Sequence, residues 1–282
     1  MKAVALFLRE IRIEHTLFAL PFAYVGAILA ARGIPGAAPL AWITLAVLGA
    51  RTAAMAANRF LDREIDARNP RTARRALVSG TLSPAVMVWA FVAGLALLLW
   101  AAWMLNPLCV KLMPVAALLL LTYPLCKRFT WMTHFVLGAV DGLAPLGAYI
   151  GIAGRVTLPA ILLFVAVTIW VAGFDIIYAL MDLGIDRAQG IRSLPVRFGE
   201  ASGRVLPIVL HAGMLLLLAG AGALAGAGRT YFLGVVSVAG LIIYEEYLFR
   251  SGENVFVINE RVFISNMTFS VVFLLTTVGG YV

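Results

Sequence analysis

Long apolar runs repeat from one end of the chain to the other, and they restrict its fold more than any other feature. Nine can be marked, each close to the ~20 residues that an α-helix needs to cross a bilayer. They lie near residues 16–32, 39–61, 84–104, 107–123, 131–152, 158–180, 204–225, 230–249 and 262–281. Because a spanning segment must satisfy its own backbone hydrogen bonds, the sequence predicts an all-α, polytopic membrane protein with nine transmembrane helices.

The charged residues are few and lie between the apolar runs. They make up 13% of the chain, about half the share that is typical of soluble domains. No stretch suits a soluble domain, so we expect one membrane domain over residues 1–282. The net charge of +8 lies mostly in short loops, which suits anionic membrane lipid and gives no reason to expect a nucleic-acid partner.

The distribution of Lys and Arg predicts an orientation in the membrane. With a cytoplasmic N-terminus, most of these residues fall on the cytoplasmic side, and only Arg32, Lys111, Arg155 and Arg229 fall at or near the other side. The positive-inside rule favours this arrangement. We therefore expect an integral protein of the cell (inner) membrane, with its N-terminus and long basic loops in the cytoplasm and its C-terminus outside.

Acidic and amide side chains recur at the end of the second apolar run. Asn58, Asp62 and Asp66 are four residues apart, which places them on one helical face with about 6 Å of rise per step. Arg51 lies about two turns deeper on the same face. Carboxylates one turn apart repel each other, and a divalent cation between them relieves the repulsion. The spacing predicts a Mg²⁺ site for a phosphorylated ligand; the alternative is a solvated helix end.

A second acidic helix end follows in the other half of the chain. Asp175, Tyr178, Asp182 and Asp186 share one face of the sixth apolar run and its extension. By the count of spans, this end faces the same compartment as the first. Two carboxylate pairs across a cavity can hold two Mg²⁺ ions that bridge a diphosphate.

The loop after the first acidic end is rich in arginine, and it includes Arg71. Guanidinium groups bind phosphate oxygens in two-point fashion, so this loop suits a multiply charged anion. Each arginine has an alternative role in setting the membrane topology.

Both acidic segments resemble the aspartate-rich motifs of the UbiA superfamily of intramembrane prenyltransferases. The flanking sequences agree, and they are Asn69-Pro-Arg71-Thr72, Arg75-x-Leu-x-Ser-Gly80, Gly190-Ile-Arg-Ser193 and Phe198-Gly199. Tyr123-Pro124-x-x-Lys127-Arg128-x-Thr130 is similar to the family's basic segment. The opening Arg12-x-Glu14-His15-Thr-Leu-Phe-Ala-Leu-Pro21 resembles the 4-hydroxybenzoate polyprenyltransferase subgroup, and within it the branch assigned to menaquinone synthesis through futalosine.

The resemblance implies a nine-helix bundle around a central cavity, open sideways to lipid, that transfers a polyprenyl group from its diphosphate to an aromatic ring. The residues that bind Mg²⁺ and diphosphate in the family correspond to Asp62, Asp66, Asp182 and Asp186, with Asn58 and Asp175 beside them. Its diphosphate contacts correspond to Lys127, Arg128 and Tyr123. Arg51 matches the arginine that holds the acceptor's carboxylate. The implied partners are polyprenyl diphosphate, a hydroxylated aromatic carboxylate and membrane lipid, with no protein partner.

Four further sets of polar residues need an interpretation. Asp141 lies within a predicted span, where it either serves the acceptor or is a protonated carboxyl bonded to a neighbouring helix. We expect His15 and His134 to be polar interface residues, and Glu245 and Glu246 to form a solvated helix end. Cys109 and Cys126 lie too far apart along one helix to pair and are expected to pack as small apolar residues.

Other functions stay open at this point. Within the superfamily the acceptor could instead be haem, chlorophyllide or a glycerophosphate ether lipid, although the flank of the first motif favours the hydroxybenzoate-like branch. Inverted repeats and broken helices would favour a cation-coupled transporter, and neither is detected in the sequence. The prenyl chain length and the choice between 4-hydroxybenzoate and 1,4-dihydroxy-6-naphthoate are left open.

Overall fold

The computed structural model describes residues 2–12, 16–250 and 255–282, and its regular secondary structure within these ranges is all α-helical. In chain order the helices are α1 Lys2–Glu10, α2 Thr16–Ala31, α3 Ala37–Leu61, α4 Arg63–Ala67, α5 Pro84–Leu105, α6 Pro107–Cys126, α7 Thr133–Ala153, α8 Leu158–Met181, α9 Leu183–Gln189, α10 Leu194–Phe198, α11 Glu200–Ala225, α12 Arg229–Arg250 and α13 Val255–Gly279.

Eight of the described helices are long and apolar enough to cross a membrane: α3, α5, α6, α7, α8, α11, α12 and the part of α13 from Arg261 to Gly279. The polytopic all-α prediction is confirmed. The first predicted span is not among these eight, because it is shorter than predicted. Helix α2 has 16 residues, and its apolar part is Ala19–Ala31. This helix ends where Arg32 takes a left-handed backbone conformation, just before Gly33. His15 lies outside the described residues.

The core of the bundle surrounds α8, which is the most buried of the spans. Trp170 at its centre packs against Phe22 of α2 and Phe269 of α13, and its indole N–H donates to Asn266 Oδ1 at 3.0 Å. The indole polar atom is thereby satisfied in the apolar interior, as buried Trp requires. Outer faces carry exposed apolar side chains such as Trp103 and Leu216, as expected of surfaces that contact lipid.

Small residues allow the helices to approach closely. Gly49 of α3 and Gly94 of α5 face each other, and a Cβ atom built on Gly49 would lie 2.7 Å from the Gly94 carbonyl oxygen. On α7, a Cβ atom at Gly138 would lie 2.0 Å from the carbonyl oxygen of Thr168 on α8. Close backbone contact of this kind is a main source of helix association in membranes.

We therefore expect Gly138→Ala to lower the free energy of unfolding by about 1–3 kcal/mol, since the backbone of α8 would have to shift. Thermal unfolding in detergent measures the effect. Gly147→Ala is the matched control, because Gly147 lies on the same helix and a Cβ atom added there would meet nothing within 4 Å. Equal unfolding midpoints for the two variants would contradict the close packing of α7 on α8.

Candidate active site

A cavity of about 670 Å³ opens where the two acidic helix ends meet. Every site residue predicted from the sequence lines it except Arg128, and these are Arg51, Asn58, Asp62, Asp66, Arg71, Tyr123, Lys127, Asp141, Asp175, Tyr178, Asp182 and Asp186. Arg128 instead donates a hydrogen bond to the carbonyl oxygen of Leu61, at the end of α3. The fold thus brings residues from both halves of the chain to one hollow.

The two acidic segments share a local geometry that the sequence did not predict. In each, the long helix ends one residue before the central aspartate, and a short helix starts one residue after it. Asp62 joins α3 to α4, and Asp182 joins α8 to α9. The backbone N–H of Asp66 still donates to the Asp62 carbonyl, and that of Asp186 to the Asp182 carbonyl, each at 2.8 Å. The sequence did not predict this interruption, but the four-residue spacing of the aspartates is preserved.

Cationic side chains pair with three of the four carboxylates. Lys127 Nζ lies 2.6 Å from Asp62 Oδ2, and Arg71 Nη2 lies 2.6 Å from Asp182 Oδ2. Arg75 pairs with Asp66. The Arg71 pair links the loop after α4 to the junction after α8, so it ties the two halves together. These pairs offset the repulsion between carboxylates that line one cavity.

Arg75 was missing from the predicted site residues. Its only sequence signal was its position in the flank that resembles the family. The loop that carries it is ordered by buried hydrogen bonds: Thr72 Oγ1 donates to the Asp66 carbonyl at 2.9 Å, and the Arg71 N–H donates to Asn69 Oδ1 at 2.9 Å. These bonds hold the arginines over the acidic ends.

The carboxylates have the chemistry that a divalent cation needs. Asp62 Oδ1 is buried and finds no hydrogen-bond partner within the described part of the chain. Burial raises the pKa of Asp62 above its ordinary value, against the opposing effect of Lys127. Burial, helped by the carboxylate of Asp182, raises the pKa of Asp186 to about 6. Mg²⁺ prefers oxygen ligands, and it relieves the repulsion between neighbouring carboxylates. Carboxylate oxygens without a hydrogen-bond partner therefore suit Mg²⁺.

The described residues contain no group of three or more acidic, His or Cys side chains close enough to form a ready-made metal cage. Three of the four carboxylates pair with basic side chains instead. An ion at this site would therefore draw its ligands from both acidic ends together with the oxygens of a bound ligand.

A fourth ion pair lies deeper in the cavity, between α3 and α7. Arg51 Nη1 lies 3.1 Å from Asp141 Oδ1, and both side chains are largely buried. Beside them, the Tyr123 hydroxyl donates to the Ala54 carbonyl at 3.2 Å. Asp141 bonds to a neighbouring helix, but as the partner of an arginine and not as the isolated protonated carboxyl of one interpretation; that arginine is the one expected to hold the acceptor.

His134 lines the cavity and is hydrogen-bonded to two other elements of its wall. Its Nε2 accepts a hydrogen bond from the Leu194 N–H at 3.2 Å, so Nδ1 carries the proton that faces Asp175 Oδ2 at 2.7 Å. The histidine joins α7 to α8 and to the start of α10. This arrangement agrees with its predicted role as a polar interface residue.

The prediction for Glu245 was wrong. Its side chain is 3% exposed, and Oε2 has no hydrogen-bond partner in the described part of the chain. The reason is that this end of α12 packs on α13, where Leu248 and Val262 share a buried cluster. Glu246 is less buried, and both cysteines are unpaired as predicted.

Apolar residues complete the cavity, and sequence reasoning did not identify them. They include Met55, Leu137, Phe174 and Phe263. Phe174 packs edge-to-face on Tyr178, with ring centroids 5.9 Å apart. No sequence signal separates these residues from the other apolar residues of the spans.

Comparison with known proteins gives consistent results. The model of the UbiA prenyltransferase family matches residues 19–267. The "4-hydroxybenzoate octaprenyltransferase" of Alkalilimnicola ehrlichii is 33% identical over 222 residues, which cover 79% of this chain and 75% of the relative. The solved UbiA homologue from Aeropyrum pernix K1 superposes with a TM-score of 0.82, 33% identity and coverage of 95% and 97% of the two chains.

A more distant structure shares the fold. The UbiA homologue from Archaeoglobus fulgidus bound to DMAPP and Mg²⁺ has a TM-score of 0.67 and 21% identity, with 95% of this chain and 98% of that chain covered.

A double-mutant cycle tests the deep ion pair. We expect Arg51→Gln and Asp141→Asn each to destabilise the protein, because each leaves a buried charge without its partner. The double variant should recover part of the loss, with a coupling energy of about 1–3 kcal/mol in thermal or denaturant unfolding. Asp141→Asn combined with Arg155→Gln, at an exposed loop position, is the control and should be additive. Additive energies in both cycles would contradict the pairing.

Proposed function

The chain belongs to the UbiA prenyltransferase family and is an aromatic prenyltransferase, and we propose that it transfers a polyprenyl group from polyprenyl diphosphate to a ring carbon of a hydroxylated aromatic carboxylate. One observation carries the proposal. A single cavity has carboxylates and cations at one end, a buried arginine at the other, and apolar walls between them. Each part suits one part of the two substrates.

The diphosphate of the donor suits the charged end. Asp62, Asp66, Asp182 and Asp186 would hold Mg²⁺, and the partnerless oxygen of Asp62 supports this assignment. The same fold binds DMAPP and Mg²⁺ in the Archaeoglobus fulgidus homologue. When bound, Mg²⁺ supplies positive charge that neutralises the diphosphate oxygens. Asn58 and Asp175 stand beside these carboxylates as supporting groups.

The protein's own cations assist departure of the diphosphate. Lys127 and Arg71 pair with carboxylates that would turn to the metal, which leaves both cations free to bind phosphate oxygens. Positive charge beside the diphosphate stabilises the negative charge that develops on it as it leaves. This favours breaking the bond between the prenyl carbon and the diphosphate oxygen. The prenyl group then carries the positive charge as an allylic cation.

The middle of the cavity protects that cation. Apolar side chains such as Leu137 and Met55 exclude water, which would otherwise quench it. The rings of Phe174 and Tyr178 line the same space, and aromatic faces attract cations. The electron-rich ring of the phenol attacks through carbon, and the ring then loses a proton to restore aromaticity.

The acceptor's carboxylate suits the deep end, where Arg51 lies. Arginine has five N–H donors, so its contact with Asp141 leaves others for an incoming carboxylate. Asp141 would fix the guanidinium in position. The name of the Alkalilimnicola ehrlichii relative favours 4-hydroxybenzoate, and hence ubiquinone synthesis; the N-terminal resemblance keeps 1,4-dihydroxy-6-naphthoate, and hence menaquinone, as the second candidate.

The proposed reaction takes its prenyl diphosphate from the membrane, and the protein has a preferred orientation there. The prenyl tail is as apolar as lipid, so entry from the bilayer avoids a desolvation cost. The distribution of Lys and Arg favours a cytoplasmic N-terminus; the charged end of the cavity would then face the cytoplasm, and the C-terminus would lie outside. The proposed reaction needs one domain, residues 1–282, and no protein partner.

We expect the purified protein to form a prenylated acid from geranyl diphosphate, Mg²⁺ and 4-hydroxybenzoate, with 1,4-dihydroxy-6-naphthoate tested in parallel by mass spectrometry. Asp62→Ala or Asp182→Ala should lower turnover by about 10²-fold or more, because the charge at the leaving group is no longer neutralised. A chelator should have the same effect on the wild-type protein.

Glu64→Ala is the matched control, since Glu64 is an exposed carboxylate on α4 that does not line the cavity. It should keep near-normal turnover. Near-normal transfer by Asp62→Ala would contradict the metal assignment. Cation-driven uptake without any prenylated product would favour the transporter alternative.

Arg51→Gln should raise the acceptor KM by about 10- to 100-fold, the value of one or two lost charge-assisted hydrogen bonds, and leave the donor KM within about threefold. Steady-state kinetics with each substrate varied in turn gives both constants. Asp141→Asn keeps the arginine and should raise the acceptor KM less. A larger rise in donor KM would instead place Arg51 at the diphosphate.

A further inference from the structure

A second cleft, of about 580 Å³, lies between α1 and the loop that follows α4. Its wall is unusually basic. Six arginines line it, and they are Arg9, Arg12, Arg59, Arg71, Arg74 and Arg75. Glu10 is the one acidic residue among the described lining residues.

The cleft exists because α1 is anchored to the loop. Glu10 is buried; its Oε2 accepts a hydrogen bond from the Ala76 N–H at 3.0 Å, and its carbonyl accepts one from Arg59 Nε at 3.0 Å. Leu6 and Phe7 pack against a buried cluster that includes Ala76. Glu10 is therefore a buried residue of the wall whose contacts hold α1 against the loop.

The remaining positive charge of the wall is unmatched. Arg71 and Arg75 pair with Asp182 and Asp66 in the first cavity. Arg9, Arg12 and Arg74 make no ion pair with any residue that the structure describes.

Two hydroxyl side chains also line the cleft, and that of Ser79 donates to the Ala76 carbonyl at 3.3 Å. Ser79 and Thr81 lie there with their oxygens 2.9 Å apart. A concave surface with guanidinium groups that have no ion-pair partner is suited to an oxyanion.

The position of α1 indicates where such an anion would come from. Val4 and Leu8 are exposed on this amphipathic helix, while its other face packs on the bundle. A helix of this kind lies in the membrane interface, at the depth of the lipid headgroups. Basic groups at that depth attract anionic phosphates, both those of lipids and those dissolved nearby.

We propose that this cleft is a second phosphate-binding site, distinct from the carboxylate-lined cavity, which binds a phosphate-bearing anion at the membrane surface through Arg9 and Arg74. These two arginines line only the second cleft, whereas Arg12, Arg59, Arg71 and Arg75 line both. The site goes beyond the proposed transfer reaction, and its existence does not depend on that reaction.

Binding measurements on the full-length protein test this site. The double variant Arg9→Gln/Arg74→Gln removes two charges from the cleft and none from the first cavity. The control is Arg63→Gln/Arg68→Gln, which also removes two charges. Both residues are exposed, lie at the two ends of α4 and line neither cavity. Circular dichroism and gel filtration check that both variants fold.

Two probes distinguish the source of the phosphate. The first is inorganic diphosphate, titrated by calorimetry in the presence of a chelator with the protein in phosphatidylcholine nanodiscs. The second is phosphatidylglycerol, whose retention from mixed nanodiscs is measured by native mass spectrometry. For the bound anion, the cleft variant should weaken binding by about 30-fold, and the control should stay within about twofold of wild type.

Loss of diphosphate binding alone identifies a free phosphate compound as the occupant, and loss of phosphatidylglycerol alone identifies a lipid headgroup. Loss of both shows that the site accepts the phosphate group from either source. Unchanged binding in both measurements, or an equal loss in the Arg63→Gln/Arg68→Gln control, would overturn the proposal.

Discussion

Pairing of carboxylates with cations at the membrane boundary is the constraint on which the rest of this structure depends. Asp62, Asp66 and Asp182 line one cavity, and each has its own basic partner. Charged groups at this depth are costly unless they are paired or face a polar hollow. The partners come from distant parts of the chain, so the same contacts that offset the charge also join the loop after α4 and the end of α6 to the acidic ends. The proposed site for a diphosphate is thereby part of what holds the bundle's charged end together.

The cavity changes character along its depth, and this gradient explains how one hollow can serve two different substrates. Ionic groups surround its mouth, aromatic and aliphatic side chains form its middle, and the Arg51–Asp141 pair lies at its inner part. The central α8 contributes Asp182 to the mouth and Phe174 to the middle, and it is packed between α7 and α11. Rigid spans fix the distance between a charged mouth and a deep anchor, as transfer between two bound substrates requires.

The arginines of the loop after α4 face two ways. Arg71 and Arg75 reach the acidic ends, and with Arg12 and Arg59 they also form the boundary with the second cleft under α1. A loop that only set the membrane topology would not need Thr72 and Asn69 to be buried and hydrogen-bonded within it. Its order is consistent with arginines that are placed for anions on both sides.

The sequence alone determined the membrane fold and the two acidic ends, because apolar length and four-residue spacing are local properties that the backbone must obey. It could not show that each acidic helix breaks at its central aspartate, that Arg75 faces Asp66, or that Asp141 pairs with Arg51. It also placed Glu245 in solvent, although α13 covers that residue. Partners from separate helices are decided only by tertiary packing, since apolar spans carry almost no sequence signal for which face meets which neighbour.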